Sequence, residues 1–383
     1  MGLSHFFRAS RHAEMTLESN NMGKPRVFWL TNVATPYRIP MWRWLSKSVD
    51  ITLGMLRDPE ASRFGAWTKQ EIGVDTEFFH APTLSIGTRA IYFPNRAMRK
   101  LLKQDRDYFV LGGWESPAYF YALLVAHKRG IKVIGHCGST AQSSGYSGLV
   151  VSKLRAWFHQ KLDWSVTYGT DCTNYLISMG VEPEKIFTGF NSVDHVHFYN
   201  GVNANREIQP IGSGHKYLYV GQFITRKNVA NLIHAFNEIR EPGDTLQLAG
   251  RGDLQPQLEQ LVKDLRLDES VQFIGHKSQD EIIIEYCKAN TLILPSFIEV
   301  WGLVVNEALT CGLNVVVSEK CGIANDIKHM QGVYVSGCEI ESIGQKMAES
   351  RQNWSGVRSN PEILQFTIEK YGQHFLNAMQ ELR

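Results

Sequence analysis

Residues 294–312 read LPSFIEVWGLVVNEALTCG. The apolar run before Pro295 has the length and composition of a buried strand, and Gly302 opens a helix-length apolar segment that closes at Gly312. A strand that passes through a short loop into a helix is the unit from which wound parallel sheets are built. Glu299 falls in the loop and Glu307 in the second helical turn, so two carboxylates with seven residues between them flank a helix N-terminus. Such an end carries unpaired backbone N–H groups and the positive pole of the helix dipole, and it can hold a phosphate or a departing diphosphate. Carboxylates accept hydrogen bonds from hydroxyls, which suits a polyol beside that phosphate. Taken alone, the pair could also be an exposed loop residue and a solvated helix position. Its place at the carboxyl end of a parallel strand, where wound sheets bind ligands, favours the ligand reading.

A second stretch, YVGQFITRKNVANLIHAF from Tyr219 to Phe236, has the same grammar. A strand ends at Gly221, and Arg226 and Lys227 stand just before a helix that starts near Asn228. Arginine offers a planar fork and lysine a point charge, both suited to phosphate oxygens. The bland alternative is a solvated basic turn. Val229, Leu232, Ile233, Phe236 and Ile239 recur at helical spacing and give that helix one apolar face for a sheet. Further strands are read at 246–250, 271–275, 291–295 and 314–319, and in the first half at 26–32, 51–56, 108–113, 132–137 and 164–169. Helices are read at 117–129 and 147–160. The class is α/β, as two Rossmann-like domains facing each other across a cleft, 25–198 and 215–362. Residues 199–214, with Asn, Gly, Pro and Ser and little apolar periodicity, read as the linker. Residues 1–24 read as a disordered extension, and 363–383 as helix that could pack back on the first domain.

Composition narrows the classes of function. At 383 residues the chain exceeds one ordinary core, and 43% hydrophobic with 20% charged residues is a globular balance. A net charge of +2 gives a nucleic-acid partner no support. The six cysteines contain no C-x-x-C pair, which suits reduced thiols in a cytosol. No apolar run approaches the roughly 20 residues that span a bilayer. Asp105-Arg-Asp107 reads as a solvated turn, and Gly250-Arg-Gly252 as a strand-to-helix turn lacking the third glycine of a dinucleotide fingerprint.

Three weaker features lie in the first half. His136 ends a strand beside Gly135 and Gly138, where it could assist proton transfer in the cleft or serve as a structural histidine bonded to backbone. Tyr37 and Arg38 follow the first strand, and the cation could meet an anionic acceptor. Trp42, Arg43 and Trp44 could belong to a half-buried helix or touch a membrane surface, as a peripheral contact.

From residue 26 onward the chain resembles the retaining glycosyltransferases of family 4, which have the GT-B architecture. Glu299 and Glu307 look like that family's E-x7-E motif, with Trp301-Gly302 in place of Phe-Gly. The flanking LPS and EALTCGLNVVVS, the interdomain KIFTGFNSVDHVHF and the amino-terminal TPYR and GGWESPAYFYALLVAHKRGIKVI are also similar. The resemblance implies that Glu299 binds donor-sugar hydroxyls and that amides around Trp301, Gly302 and Leu303 hold sugar and diphosphate. It implies that Glu307 binds ribose and Lys227 the diphosphate, with Arg226 and the Gly221 turn beside them. Transfer of a hexose-type sugar from a UDP- or GDP-sugar to a glycan or lipid-linked acceptor would retain anomeric configuration, without a cofactor or bound metal, on the cytoplasmic side in envelope polysaccharide synthesis. The chain departs from the pattern at Gln222, where many members have arginine, at Asn314, where proline is common, and at 32–36, where a Gly-rich loop is often found. A non-catalytic nucleotide-sugar-binding protein of the same fold is the alternative that Gln222 suggests.

Overall fold

The computed structural model describes residues 23–57, 69–86, 89–144, 148–205 and 214–382. Most of the amino-terminal extension expected at 1–24 lies outside them. Two parallel sheets organise the rest. The first contains β1 (Arg26–Thr31), β2 (Asp50–Met55), β3 (Asp75–Phe78), β6 (Tyr108–Leu111), β7 (Lys132–Cys137), β8 (Trp164–Thr167) and β9 (Ile186–Thr188), in the order β3-β2-β1-β6-β7-β8-β9. A hairpin of β4 (Thr83–Ile86) and β5 (Arg89–Tyr92) stands beside it. The second sheet contains β10 (Lys216–Val220), β11 (Thr245–Ala249), β12 (Val271–Gly275), β13 (Thr291–Leu294), β14 (Asn314–Ser318) and β15 (Val333–Ser336), in the order β12-β11-β10-β13-β14-β15.

Helices cover both faces of each sheet, so the strands are apolar on both sides and their alternate residues enter different cores. On β1, Val27 and Trp29 join one core while Phe28 and Leu30 join another. On β10, Tyr217 and Tyr219 face one side and Leu218 the other. The central order is that of the doubly wound fold, in which strand order reverses at a switch point and leaves a crevice beyond the carboxyl ends. In the second sheet the reversal lies between β10 and β13, and these are the strands that lead into Arg226-Lys227 and into Glu299. In the first sheet it lies between β1 and β6, which lead into Tyr37-Arg38 and into Trp114-Glu115.

One departure from the sequence reading concerns the linker. A helix, His195–Asn205, occupies the first part of the segment read as linker, and 206–213 fall outside the described residues. Its buried His195, Phe198 and Val202 supply a helical stripe that the interspersed Asn and Gly obscure, and it packs against the helix Gln279–Lys288. At the other end, the helix Ile368–Glu381 returns to the first sheet, where Tyr371, Phe375 and Met379 enter the Val27–Trp29 core and the Tyr108 hydroxyl donates to the Met379 carbonyl at 2.8 Å.

Candidate functional site

The helix Leu303–Thr310 begins at Gly302, whose φ of +105° suits glycine. A Cβ there would come within 2.9 Å of Leu294. The loop before it is pinned by backbone bonds from Gly322 N to Glu299 O (3.1 Å) and from Phe297 N to Arg226 O (2.9 Å). The latter ties it to the β10 turn. Asn228, at φ +59°, strengthens the same junction by donating its side-chain amide to Pro295 O and Cys338 O. Local geometry thereby brings together the two motifs read separately from sequence. Lys227 Nζ donates directly to Glu299 Oε2, and Arg226 Nη1 lies 3.9 Å from the same oxygen while donating to Ile298 O. Lys227 and Glu299 are largely buried and Arg226 is half exposed. Gly221 closes β10 by bonding to Ala249 O.

Glu307 occupies a different environment. It is 2% exposed and faces two phenols: the Tyr286 hydroxyl donates at 2.6 Å, and the Tyr37 phenol approaches from the other half of the molecule. Burial lifts its pKa to about 7, although the two phenols favour the charged form. Burial also pushes both tyrosines well above their usual range, so they remain donors. Tyr37, expected on the acceptor side, therefore meets the carboxylate expected to hold the donor. The reason is reach: the turn after β1 carries its ring against the core beneath Glu307. Tyr286 was not anticipated, because a tyrosine beside buried Ile282 and Ile283 on one helix reads as core.

Trp301, expected to lend its backbone amide, has a ring with a separate role. Its side chain is buried and donates Nε1–H to Asn306 Oδ1 at 3.2 Å, with its ring edge-on to Phe190 at 5.1 Å. It packs so closely on Gly169 that a Cβ there would sit 2.3 Å from the indole. The ring wedges the halves together, which leaves its backbone, with Gly302 and Leu303, at the helix tip. Nearby, Asp326 accepts from Thr170 N (3.2 Å) and Thr170 Oγ1 (2.6 Å), and Asn325 donates to Asp171 (2.9 Å). A carboxylate of the second half thus caps a helix of the first.

Across the cleft, the carboxyl ends of β6, β7 and β8 surround a cavity of about 290 Å3, lined among others by Arg38, Glu115, His136, Ser143 and Tyr168, with Val300 reaching in from the second half. Arg38 donates to Thr31 Oγ1 (2.9 Å) and to Tyr168 Oη (2.6 Å). His136 lies on the wall with its ring against Trp29, Tyr168 and Phe375, its Nε2 3.0 Å from the Tyr371 hydroxyl. Burial, with Arg38 nearby, holds its pKa well below the usual range. Its partners come from the first sheet and the terminal helix rather than from the carboxylate cluster. Trp42 is fully buried, Trp44 packs on Gly372 and Arg43 donates to the Glu71 and Ile72 carbonyls. Trp42 and Trp44 thus lie on the half-buried side of that helix, against the terminal helix, while Arg43 is exposed. Asp105 and Asp107 pair with Arg129 and Arg26. Among the described residues no helix is long and apolar enough to cross a membrane, and no His/Cys/Asp/Glu group could hold a metal ion.

Residues 202–359 match the family model described as glycosyl transferases group 1. The chain is 29% identical over 181 residues to an uncharacterized glycosyltransferase of Methanocaldococcus jannaschii, covering 47% of this chain and 45% of that one. It is 28% identical over 192 residues to glycogen synthase of Mycobacterium tuberculosis (49% and 46%) and 26% identical over 176 residues to an O-antigen chain mannosyltransferase of Salmonella typhimurium (46% and 46%). The chain spans just under half the length of these curated relatives. Among solved structures, Anabaena HepE in complex with UDP superposes with a TM-score of 0.72 at 14% identity, covering 93% of this chain and 100% of that one. Sucrose-phosphate synthase from Thermosynechococcus elongatus gives 0.71 at 16% identity, covering 94% and 99%. The fold is GT-B, two wound α/β domains facing one another.

Proposed function

We propose that the chain is a glycosyltransferase that moves a sugar from a UDP- or GDP-sugar to a hydroxyl of a glycan or lipid-linked acceptor, with retention of configuration and without a bound metal. The observation that carries this reading is the convergence of Lys227, Arg226 and Glu299 on the tip of the helix Leu303–Thr310 at the switch point of the second sheet. Two cations and a helix end supply positive potential where a diphosphate would sit, and they stabilise the charge that grows as the bond from the anomeric carbon breaks. Lys227 serves both groups: it neutralises Glu299, which can then accept from a sugar hydroxyl, and retains two further N–H donors for phosphate. Glu307 accepts from the ribose diol once Tyr37 yields its place, while Tyr286 keeps the carboxylate oriented.

The acceptor enters from the cavity across the cleft, and its hydroxyl proton leaves with the departing diphosphate. His136 is held neutral in the cavity wall, its Nδ1 buried without a hydrogen-bond partner among the described residues. Matches to glycosyltransferases over the second half, and a fold neighbour that binds UDP, support this reading. A thermal-shift panel of UDP-, GDP- and ADP-sugars tests it, since a ligand that binds only the folded chain raises its stability with concentration. One donor raises the midpoint and is hydrolysed or transferred, and Glu307→Ala abolishes both effects. A flat panel, or unchanged turnover in the variant, refutes the proposal.

A further inference from the structure

The helix Leu149–Gln160 has one face against the first domain, through Arg155, Phe158 and His159. Its other face is apolar, although it meets water. Leu149 is 83% exposed, Val150 80%, Leu154 46% and Trp157 39%. On a helical wheel these residues fall on one stripe with Lys153, and Lys161 continues it just beyond the helix. The preceding helix, Pro117–Arg129, lies alongside: Phe120 stacks on Trp157 at 6.2 Å, and His127 Nε2 bonds to Lys161 O at 3.0 Å. Leu124, 54% exposed, and Lys128 extend the surface from there. Isolated exposed apolar residues are ordinary, but a contiguous group of this kind marks an interaction surface.

Charge indicates what the surface fits. Neither helix contains an aspartate or glutamate, while together they carry Lys128, Lys153 and, adjoining, Lys161, with Arg129 paired to Asp105 behind them. Large apolar side chains framed by lysines, with an aromatic ring among them, suit the headgroup boundary of an anionic bilayer: the apolar groups enter the acyl edge and the amines meet phosphate. A protein partner would equally bury the leucines but would not by itself account for a surface of a single sign. We infer that the first domain docks on an anionic membrane through Leu149, Val150, Leu154 and Trp157, with Leu124 and the lysines at the rim. The buried face of the same helix supplies Phe158 and His159 to the 290 Å3 cavity, and Ser143 and Ser144 line it just ahead of the helix. Docking thus places the cavity one helix diameter, about 10 Å, above the headgroups. Resting on the transfer reading above, this assigns the acceptor to the lipid-linked class.

Flotation of the full chain with phosphatidylcholine vesicles, with and without 30 mol% phosphatidylglycerol, tests the docking without donor or acceptor, so it stands apart from the test of transfer. The protein floats with the anionic vesicles, and raising the salt to about 0.5 M releases much of it by screening the lysines. Leu149→Ser/Val150→Ser reduces vesicle binding at least tenfold while leaving circular dichroism and the donor-induced thermal shift unchanged, since both side chains stand in water. Lys153→Glu reduces binding to anionic vesicles alone. Equal flotation of the double variant, failure of the wild type to bind anionic vesicles, or a dimer that the double variant dissolves would each overturn the inference.

Discussion

Replacing Glu307 by glutamine should weaken donor binding at every pH and yet make the folded protein more stable at alkaline pH. The reasoning starts from the lifted pKa. An ordinary glutamate near 4.5 is raised here to about 7 by burial. The folded state therefore holds its proton more tightly than the unfolded state, and stability falls as pH rises from 4.5 through 7. At about 1.4 kcal/mol for each tenfold change in proton affinity, the ionised carboxylate costs the fold about 3 kcal/mol above pH 7 and nothing below pH 4.5. Glutamine has nearly the same shape, can accept from one phenol and donate to the other, and carries no charge to desolvate. In urea denaturation followed by tryptophan fluorescence, the variant gains about 2 to 3 kcal/mol over wild type at pH 8.5, and most of the gain is gone by pH 5. Calorimetric titration of the donor runs the other way. Wild-type affinity is highest above pH 7 and falls as Glu307 takes up its proton, while the variant binds weakly at every pH. Parallel stability curves for the two proteins between pH 5 and 8.5 would refute the reasoning.

Other perturbations separate the remaining contacts. Lys227→Met leaves Glu299 largely buried without its close cation, so it lowers stability by about 2 kcal/mol and removes donor binding; Lys227→Met/Glu299→Gln recovers most of the stability in the same melt but none of the binding. Asp326→Ala takes an acceptor from the helix N-terminus at Thr170 and costs about 1 kcal/mol. It also loosens the halves, which small-angle scattering reads as a larger radius of gyration; an unchanged radius would show that Trp301 and Tyr37 suffice. All six cysteines are buried, and burial pushes the Cys137 thiol up to about 12, so the native chain stays unlabelled by a disulfide reagent on the timescale in which the urea-unfolded chain reacts fully.

Much of this architecture is legible in the sequence because its strands are buried on both faces and flanked by abrupt turns. RVFWLT, KYLYV, TLIL and NVVVS read as strands from composition alone, and each proves to be one. The strands that escape notice are the edge strands DTEF, IFT and VYVS and the hairpin pair TLSI and RAIY, all of three or four residues and too short for a pattern to stand out from the surrounding loops. Within the site, Glu299 with Lys227 is legible because each lies where a strand gives way to a helix, and sheet order then brings neighbouring strand ends together. Tyr37 on Glu307 is not, since that contact joins residues 270 positions apart through the docking of one domain on the other. The place of the Trp301 ring is not legible for a related reason: its neighbours in sequence face the helix tip, while the ring answers to Gly169 and Phe190.

The two carboxylates consequently hold different kinds of position, and the difference bears on how donor binding and domain docking are linked. Glu299 is held by a lysine of its own domain, so that contact does not depend on what the first domain does. Glu307 has only phenols, one from each domain, and no cation among its hydrogen-bond partners in the described residues. On the proposed function, a ribose diol approaching that carboxylate would meet Tyr37 already in place, and whichever donor of hydrogen bonds prevailed would determine whether the first domain keeps this contact. Asp326 on Thr170 and Trp301 on Gly169 hold the domains independently of it. Exchange at Glu307 can therefore alter the cleft locally without parting the halves, which is what a site needs if it must admit a nucleotide and still exclude water from the sugar.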